Sequence, residues 1–293
     1  MTPVWLRERF FRFSVGPGAC RPTAGVVIAS IPIGMLGLAV QLLVQHRRPA
    51  LLPQSGERAG VDLARVGQEF DARQDRWVGI EFGRRLTRID LGEIAYPEAL
   101  GLMAGWVEER QEGTAPDRLF LLRHPAVVTY GKHTPPTDLP RAEDGLQTVE
   151  ADRGGHATYH GPGQLVGYLI MDLHRGGPAD VVRWLENSLI AALGDLGFPA
   201  VRRDTPKGEN SLVGVWTPEH HKLVSIGMRI RGGVTSHGFA LNVDPDLDVY
   251  DRFTACRLEG VTMSSLHRIA DERGQKLPGD EEIRDAIAAR LGA

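Results

Sequence analysis

Only four of the 34 basic residues in this chain are lysines, Lys132, Lys207, Lys222 and Lys276, and only two residues are cysteines, Cys20 and Cys256. Three of the lysines fall in loop-like or polar stretches, whereas Lys222 opens the apolar run KLVSIGMRI. Burial of an amine there disfavours its charged form, and such a lysine can take and give protons near neutrality. A lysine at a strand edge can equally keep its ammonium in water. Cys256 stands in YDRFTACRLEGVTMSSL, after an apolar and aromatic run and with no second cysteine near it. A lone cysteine is a small hydrophobe unless a base comes close in space, when its thiolate becomes a nucleophile. Cys20 and Cys256 lie 236 positions apart in segments of different character. Neither a disulfide framework nor a thiolate metal cluster is suggested, and a reducing compartment is expected.

A second concentration of unusual residues is DRGGHATYHGPGQLVG, Asp152 to Gly167, which packs five glycines, two histidines and a proline before an apolar run. Gly161, Gly163 and Gly167 superficially resemble a dinucleotide fingerprint, but that motif follows a strand and opens a helix. Here Pro162 interrupts it and a strand comes after. No Walker-type phosphate loop is present either. His156 and His160 are four apart, as two metal ligands on a helix would be, yet the flanking glycines argue against a helix and no metal is assigned. What remains is bare backbone, against which something long or bulky can lie, or a glycine-rich corner that serves only a tight strand entry.

The elements that must position these residues follow from periodicity. The segment YPEALGLMAGWVEERQEG, with Leu100, Met103, Trp106 or Val107 and Arg110 at helical spacing, predicts a helix that has Pro97 in its first turn and stops at Gly113. RLFLLRH and AVVTYG predict short strands broken by Pro125, and residues 131–146 a loop. QLVGYLIMDL reads as a buried strand, and PADVVRWLENSLIAALGDLG as an amphipathic helix with Val181, Leu185, Leu189 and Leu193 on one stripe. NSLVGVW, KLVSIGMRI and TSHGFALNV read as strands, and DEEIRDAIAARLG as a closing helix. The expectation is one α+β domain over 78–293, with a mixed β-sheet of five or more strands packed by helices.

Residues 1–77 differ in texture. No charged side chain occurs from Pro22 to Gln45, a stretch long enough to span a bilayer, with Arg21 before it and Arg47 and Arg48 after. Residues 47–77 read as a polar linker. The extension is either a membrane anchor or a segment outside any packed domain, such as one arising from an upstream start codon. The composition, 42% hydrophobic and 24% charged with a net charge of −3, is that of a globular protein, and it lacks the basic field that nucleic acid demands.

RGGHATYHGPGQLVGY, KLVSIG, HGFALNV and the cysteine segment ending GVTMSSL occur in an order and spacing that closely resemble the lipoyl(octanoyl) transferases, with LLRHPAVVTYGKHT matching a further family segment. The resemblance covers about 78–293. It implies the biotin and lipoate protein ligase catalytic-domain fold, with the acyl chain in a groove along the glycine segment. Carried over by position, Cys256 is the acyl-thioester nucleophile and Lys222 the residue that lowers its pKa. Arg153, Gly154, Gly155, His156, Ala157, Thr158, Tyr159 and His160, then Ser225, Ile226 and Gly227, then Gly238, Phe239 and Ala240, line the substrate pocket.

The implied reaction takes an octanoyl or lipoyl group from acyl carrier protein and passes it, through the cysteine thioester, to a lysine. That lysine belongs to lipoyl domains of 2-oxoacid dehydrogenase complexes or to the glycine cleavage H-type protein. Backbone N–H groups hold the oxyanion, and His160 and His237 either orient substrate or satisfy buried backbone. Thioester exchange and thioester-to-amide transfer need no ATP, metal or redox cofactor. Such partners imply a cytoplasmic, or matrix-facing, catalytic domain, with membrane contact only through the N-terminal segment. Two alternatives share these features: an ATP-dependent lipoate or biotin ligase, and a non-catalytic relative that binds acylated carriers. One departure stands out. The family usually has Pro-Cys-Gly at the nucleophile, whereas this chain has Ala255-Cys256-Arg257. If the following position needs positive φ, arginine strains it by about 1–2 kcal/mol.

Overall fold

The computed structural model describes residues 85–173, 176–258 and 260–293. The apolar segment 22–45, the linker 47–77 and the start of the domain expected from Val78 lie outside the described residues. Among the described residues no helix is long and apolar enough to cross a membrane.

The elements in chain order are β1 (Thr87–Glu93), α1 (Tyr96–Gln111), β2 (Arg118–Arg123), β3 (Val127–Tyr130), β4 (Thr148–Glu150), β5 (Thr158–His160) and β6 (Gln164–Ile170). There follow α2 (Pro178–Asp195), β7 (Gly214–Trp216), β8 (Lys222–Arg231), β9 (Val234–Asn242), α3 (Leu266–Arg273) and α4 (Asp280–Leu291). Six strands form a mixed sheet in the order β1-β2-β6-β9-β8-β7. In it β1 is parallel to β2 and every other neighbour is antiparallel. A second sheet, β4-β3-β5, has β4 parallel and β5 antiparallel to β3.

The centre of the large sheet explains its apolar sequence. Every residue of β6 is buried, and period two sends Leu165 and Leu169 to one face and Val166, Tyr168 and Ile170 to the other. On the first face pack α2, α3 and α4, through Val181, Leu185, Leu189 and Leu193 of α2 together with Leu266, Ile283 and Ile287. Each such side chain contributes about 1.5–3 kcal/mol on burial, and truncating one to alanine costs about 2–5 kcal/mol. On the second face lies α1, through Ala99 and Met103. Helix α2 opens on Pro178, and the Asp180 carboxylate accepts a hydrogen bond from Gly177 N at 2.7 Å. Helix α1 ends where expected, at Gly113 with φ 74°.

The structure departs from the single expected sheet. The strands β4 and β5 have three residues each, too few to display alternation, and β1 is an edge strand with mostly exposed or half-exposed side chains. Helix α3 spans eight residues and buries only Leu266, Ile269 and Ala270. NSLVGVW forms a strand only over its last three residues. Before them the backbone bonds to side chains instead: Leu212 N donates to Thr205 Oγ1 at 2.9 Å, and Leu212 O accepts from Trp216 Nε1 at 2.9 Å. The loop at 131–146 contains two single 3-10 turns, at Pro136–Asp138 and Ala142–Asp144.

Candidate active site

Lys222 begins β8 and is 1% exposed. Its backbone is tied on both sides, the N–H donating to Thr262 O and the carbonyl accepting from Ser264 N, each at 2.9 Å. The side chain does not reach for water. Its Nζ lies 3.4 Å from Cys256 Sγ and 5.1 Å from the centroid of the Trp216 ring. Cys256 sits in the one-turn 3-10 segment Ala255–Arg257, but with φ 56° and ψ 18° it occupies the left-handed region, and Arg257 follows at φ 55°. Left-handed backbone costs a side-chain-bearing residue about 1–2 kcal/mol. The strain anticipated at Arg257 is therefore present, and Cys256 carries it as well. Two bonds anchor the turn: Cys256 N donates to Ala157 O at 2.7 Å, and Asn210 Nδ2 donates to Arg257 O at 2.9 Å. Ser225 Oγ lies 3.9 Å from the sulfur.

The pair opens onto a cleft that is partly open to solvent. From the glycine segment Arg153, Gly155, His156, Thr158 and His160 border it; from β8 come Ser225, Ile226 and Gly227, and from β9 Gly238, Phe239 and Ala240. Three expected lining residues do not border it. Gly154 N donates to Met228 O at 3.0 Å, holding the loop to β8. Ala157 is fully buried and accepts from Cys256. Tyr159 alternates with Thr158 and His160 along β5 and packs instead near Tyr250, ring centroids 6.0 Å apart. These three hold the wall in place and do not form its surface. The need for bare backbone is visible where the loop crosses β8, because a Cβ on Gly227 would sit 2.8 Å from Gly154 O.

Arg153 fastens the same loop. One guanidinium nitrogen donates to Gly154 O and His156 O, the other to Thr129 O and Thr129 Oγ1 at 2.7–2.9 Å. His237, which the sequence offered either to orient substrate or to satisfy buried backbone, borders the cleft, as do Tyr96, Tyr168, Ser211 and Val213, which sequence reasoning did not assign to the pocket wall. Tyr168 was within reach, since it shares the Val166 face of β6; Tyr96 and Ser211 arrive only through tertiary packing. The Tyr96 ring stacks on His160 with centroids 5.6 Å apart, and His124 lies edge-on to both. His124 Nδ1 is 2.6 Å from Ile94 O, so it carries the proton, and Nε2 accepts from Tyr168 Oη at 2.7 Å.

Burial keeps this floor uncharged. It pushes His124 down, and it pushes His160 well below the ordinary imidazole range. His237 is pushed down to about 3, by burial first and then by the Arg153 and Arg229 cations, although its Nε2 lies 3.1 Å from Asp152 Oδ1. Arg229 also pairs with Asp152. His156, which also borders the cleft, is pushed down by burial and then by the Arg257 cation. A second, more polar cavity, bordered by Tyr250, Thr254 and Met263, also reaches Lys222.

A buried amine within hydrogen-bonding reach of a sulfur, at the rim of a mostly apolar cleft, suits acyl transfer through a thiol. Residues 95–291 match the family model for the lipoyl protein ligase A/B catalytic domain. An octanoyltransferase of Frankia casuarinae is 46% identical over 191 residues, which are 64% of this chain and 86% of that protein. One of Corynebacterium efficiens is 38% identical over 216 residues, 69% and 81% of the two chains. Among solved structures, a putative lipoate protein ligase from T. acidophilum superposes with a TM-score of 0.57 at 16% identity, covering 71% of this chain and 83% of its own. A lipoate-protein ligase A bound with ATP gives 0.53 at 15% identity, over 71% and 83%. The structural likenesses establish the fold, and the relatives at 38–46% identity establish which branch of it this is: the chain belongs to the octanoyltransferases, acyltransferases built on the lipoyl protein ligase A/B catalytic domain.

Proposed function

We propose that this chain moves an octanoyl group from acyl carrier protein to a lysine of a lipoyl domain by way of a thioester on Cys256. The acceptors are the lipoyl domains of 2-oxoacid dehydrogenase complexes and the glycine cleavage H-type protein, and the compartment is the cytoplasm, where such partners meet. The catalytic domain is residues 78–293, and residues 1–77 are an extension to it. The observation that carries this reading is the 3.4 Å approach of Lys222 Nζ to Cys256 Sγ.

In the first half-reaction Lys222 takes the thiol proton and the sulfur attacks the donor carbonyl carbon. The bond from that carbon to the carrier's thiol breaks, and the proton passes to the departing thiolate. In the second, the acceptor ε-amine attacks the Cys256 thioester, the carbon–sulfur bond breaks as the amide forms, and the amine proton returns through Lys222 to the sulfur. The Cys256 N–H is committed to Ala157 O, so the oxyanion needs other donors. The Thr158 hydroxyl borders the cleft and has no hydrogen-bond partner among the described residues, which leaves it able to donate.

Intact-mass analysis after mixing with octanoyl carrier protein tests the reading. A hydroxylamine-labile octanoyl adduct is expected on the wild-type chain and none on Cys256→Ser, with transfer to a lipoyl domain proceeding without ATP. Transfer that requires ATP and survives Cys256→Ser would instead favour the ligase reading.

A further inference from the structure

Glu186 is buried in the middle of α2 at 4% exposure. It lies off the apolar stripe that seats the helix, and the reaction described above gives it no task. An unpaired carboxylate at such a depth is costly, and burial pushes its pKa up. Its Oε1 accepts a hydrogen bond from Gly214 N at 2.9 Å, at the first residue of β7. On the other side of Gly214 lies the lysine: a Cβ there would be 2.8 Å from Lys222 Cε and 3.4 Å from Nζ, and Gly214 holds φ 139°, which disfavours any side chain. One bare residue thus separates a buried carboxylate from the buried amine beside the nucleophile.

We propose that Glu186 is a positioning residue for acyl transfer: it fixes Gly214 and, across it, sets the place and charge of the Lys222 amine at Cys256. The inference rests on the Cys256–Lys222 reading. An ammonium in a buried site needs negative charge or π density near it. The Trp216 ring gives the second, but Arg203 also lies over that ring, with its guanidinium carbon 4.8 Å from the centroid. Glu186 gives the first. Among the described residues, the other charged or titratable groups around this assembly include Arg183 of α2 and Arg202, which act on Glu186, Tyr250, which acts on Cys256, and His156 and Asp251, which border the two cavities that Lys222 reaches.

The test uses Glu186→Gln, whose amide oxygen still accepts from Gly214 N while the charge is lost. The rate of Cys256 alkylation by iodoacetamide is followed against pH, beside the pH profile of octanoyl transfer. Removing a nearby negative charge makes both the ammonium and the thiol release protons more readily. Both profiles are therefore expected to move to lower pH, by roughly half a unit or more, with an unchanged thermal melt. Profiles that superpose on those of the wild type would reduce Glu186 to an anchor of β7 and overturn the proposal. Should Glu186→Gln melt below the assay temperature, Glu186→Asp is read instead. Its carboxylate is withdrawn by one methylene, so a smaller shift in the same direction is expected, and an unmoved profile overturns the proposal equally. Lys222→Met serves as the control for the parent reading. If it leaves alkylation unaltered, the dyad has failed, whatever Glu186 does.

Discussion

Lys222 Nζ and Cys256 Sγ stand 3.4 Å apart across 34 positions of sequence, the lysine held by the start of β8 and the cysteine by a left-handed turn. Because the lysine is 1% exposed, its amine is withheld from bulk water and lies within hydrogen-bonding reach of the sulfur.

Lys222→Met keeps the volume and burial of the side chain but removes its proton-accepting nitrogen. Alkylation of Cys256 by iodoacetamide at pH 7 is expected to fall by at least tenfold, and octanoyl transfer by about 10²–10⁴-fold, the range of general acid–base contributions. The thermal melt should stay close to that of the wild type, because an apolar isostere replaces a buried amine. An alkylation rate equal to the wild type's would mean that the amine does not act on the sulfur.

The turn makes a prediction of its own. Arg257 sits at φ 55° with its side chain exposed, and its carbonyl bond from Asn210 does not depend on the side chain. Arg257→Gly is expected to be more stable than Arg257→Ala by about 1 kcal/mol, the reverse of the usual order, since glycine alone takes this backbone without a Cβ penalty. Urea denaturation midpoints compare the two. Equal midpoints would show that the position carries no strain.

Protonation gives a third. His237, His124 and His160 all hold neutral imidazoles, with His237 pushed down to about 3. In the unfolded chain each takes a proton near 6.5, so between that value and its folded one the unfolded state binds more protons. Stability therefore rises with pH through this window and is lost as pH falls below about 6.5, by about 1.4 kcal/mol per unit for each fully titrating histidine. His267, raised by Asp244 and Asp271, works in the opposite sense, but it lies exposed at the surface and screening weakens it. Denaturation at pH 7.5 and pH 5 is expected to differ by on the order of 2 kcal/mol or more in favour of the higher pH. A flat profile would contradict neutral burial of the three rings.

What the sequence revealed and what it withheld follow from range. Strand β6 and helix α2 were legible because a continuous apolar run of seven residues marks a strand buried on both faces and eighteen residues are enough for period 3.6 to declare itself. The strands β4 and β5 were not, with three residues each. Cys256 and Lys222 stood out by scarcity and by motif, yet only folding could say whether the amine turned toward water or toward sulfur. Along the glycine segment the motif marked eight residues alike, whereas the alternation of β5 sorts Thr158 and His160 into the cleft and Tyr159 out of it. Glu186 left no trace, because a glutamate in an amphipathic helix reads as solvent-facing until the partner across Gly214 is known.

Acyl length is the last consequence of the geometry. Ala157 holds the backbone of Cys256, and β5 runs from there to His160, three residues or about 10 Å along an extended strand. That run is comparable to an extended octanoyl chain. At its end the His160 ring is stacked by Tyr96, which borders the cleft at 2% exposure. An acyl chain that starts at Cys256 and follows β5 is therefore expected to bring its terminal methyl against Tyr96. Tyr96→Leu shortens that wall while leaving an apolar side chain in place, so the ratio of kcat/KM for decanoyl over octanoyl carrier protein is expected to rise roughly tenfold, the scale on which a pocket discriminates methylenes. Competition between the two acyl carriers in one assay measures the ratio directly. A ratio unchanged from the wild type would place the end of the slot elsewhere.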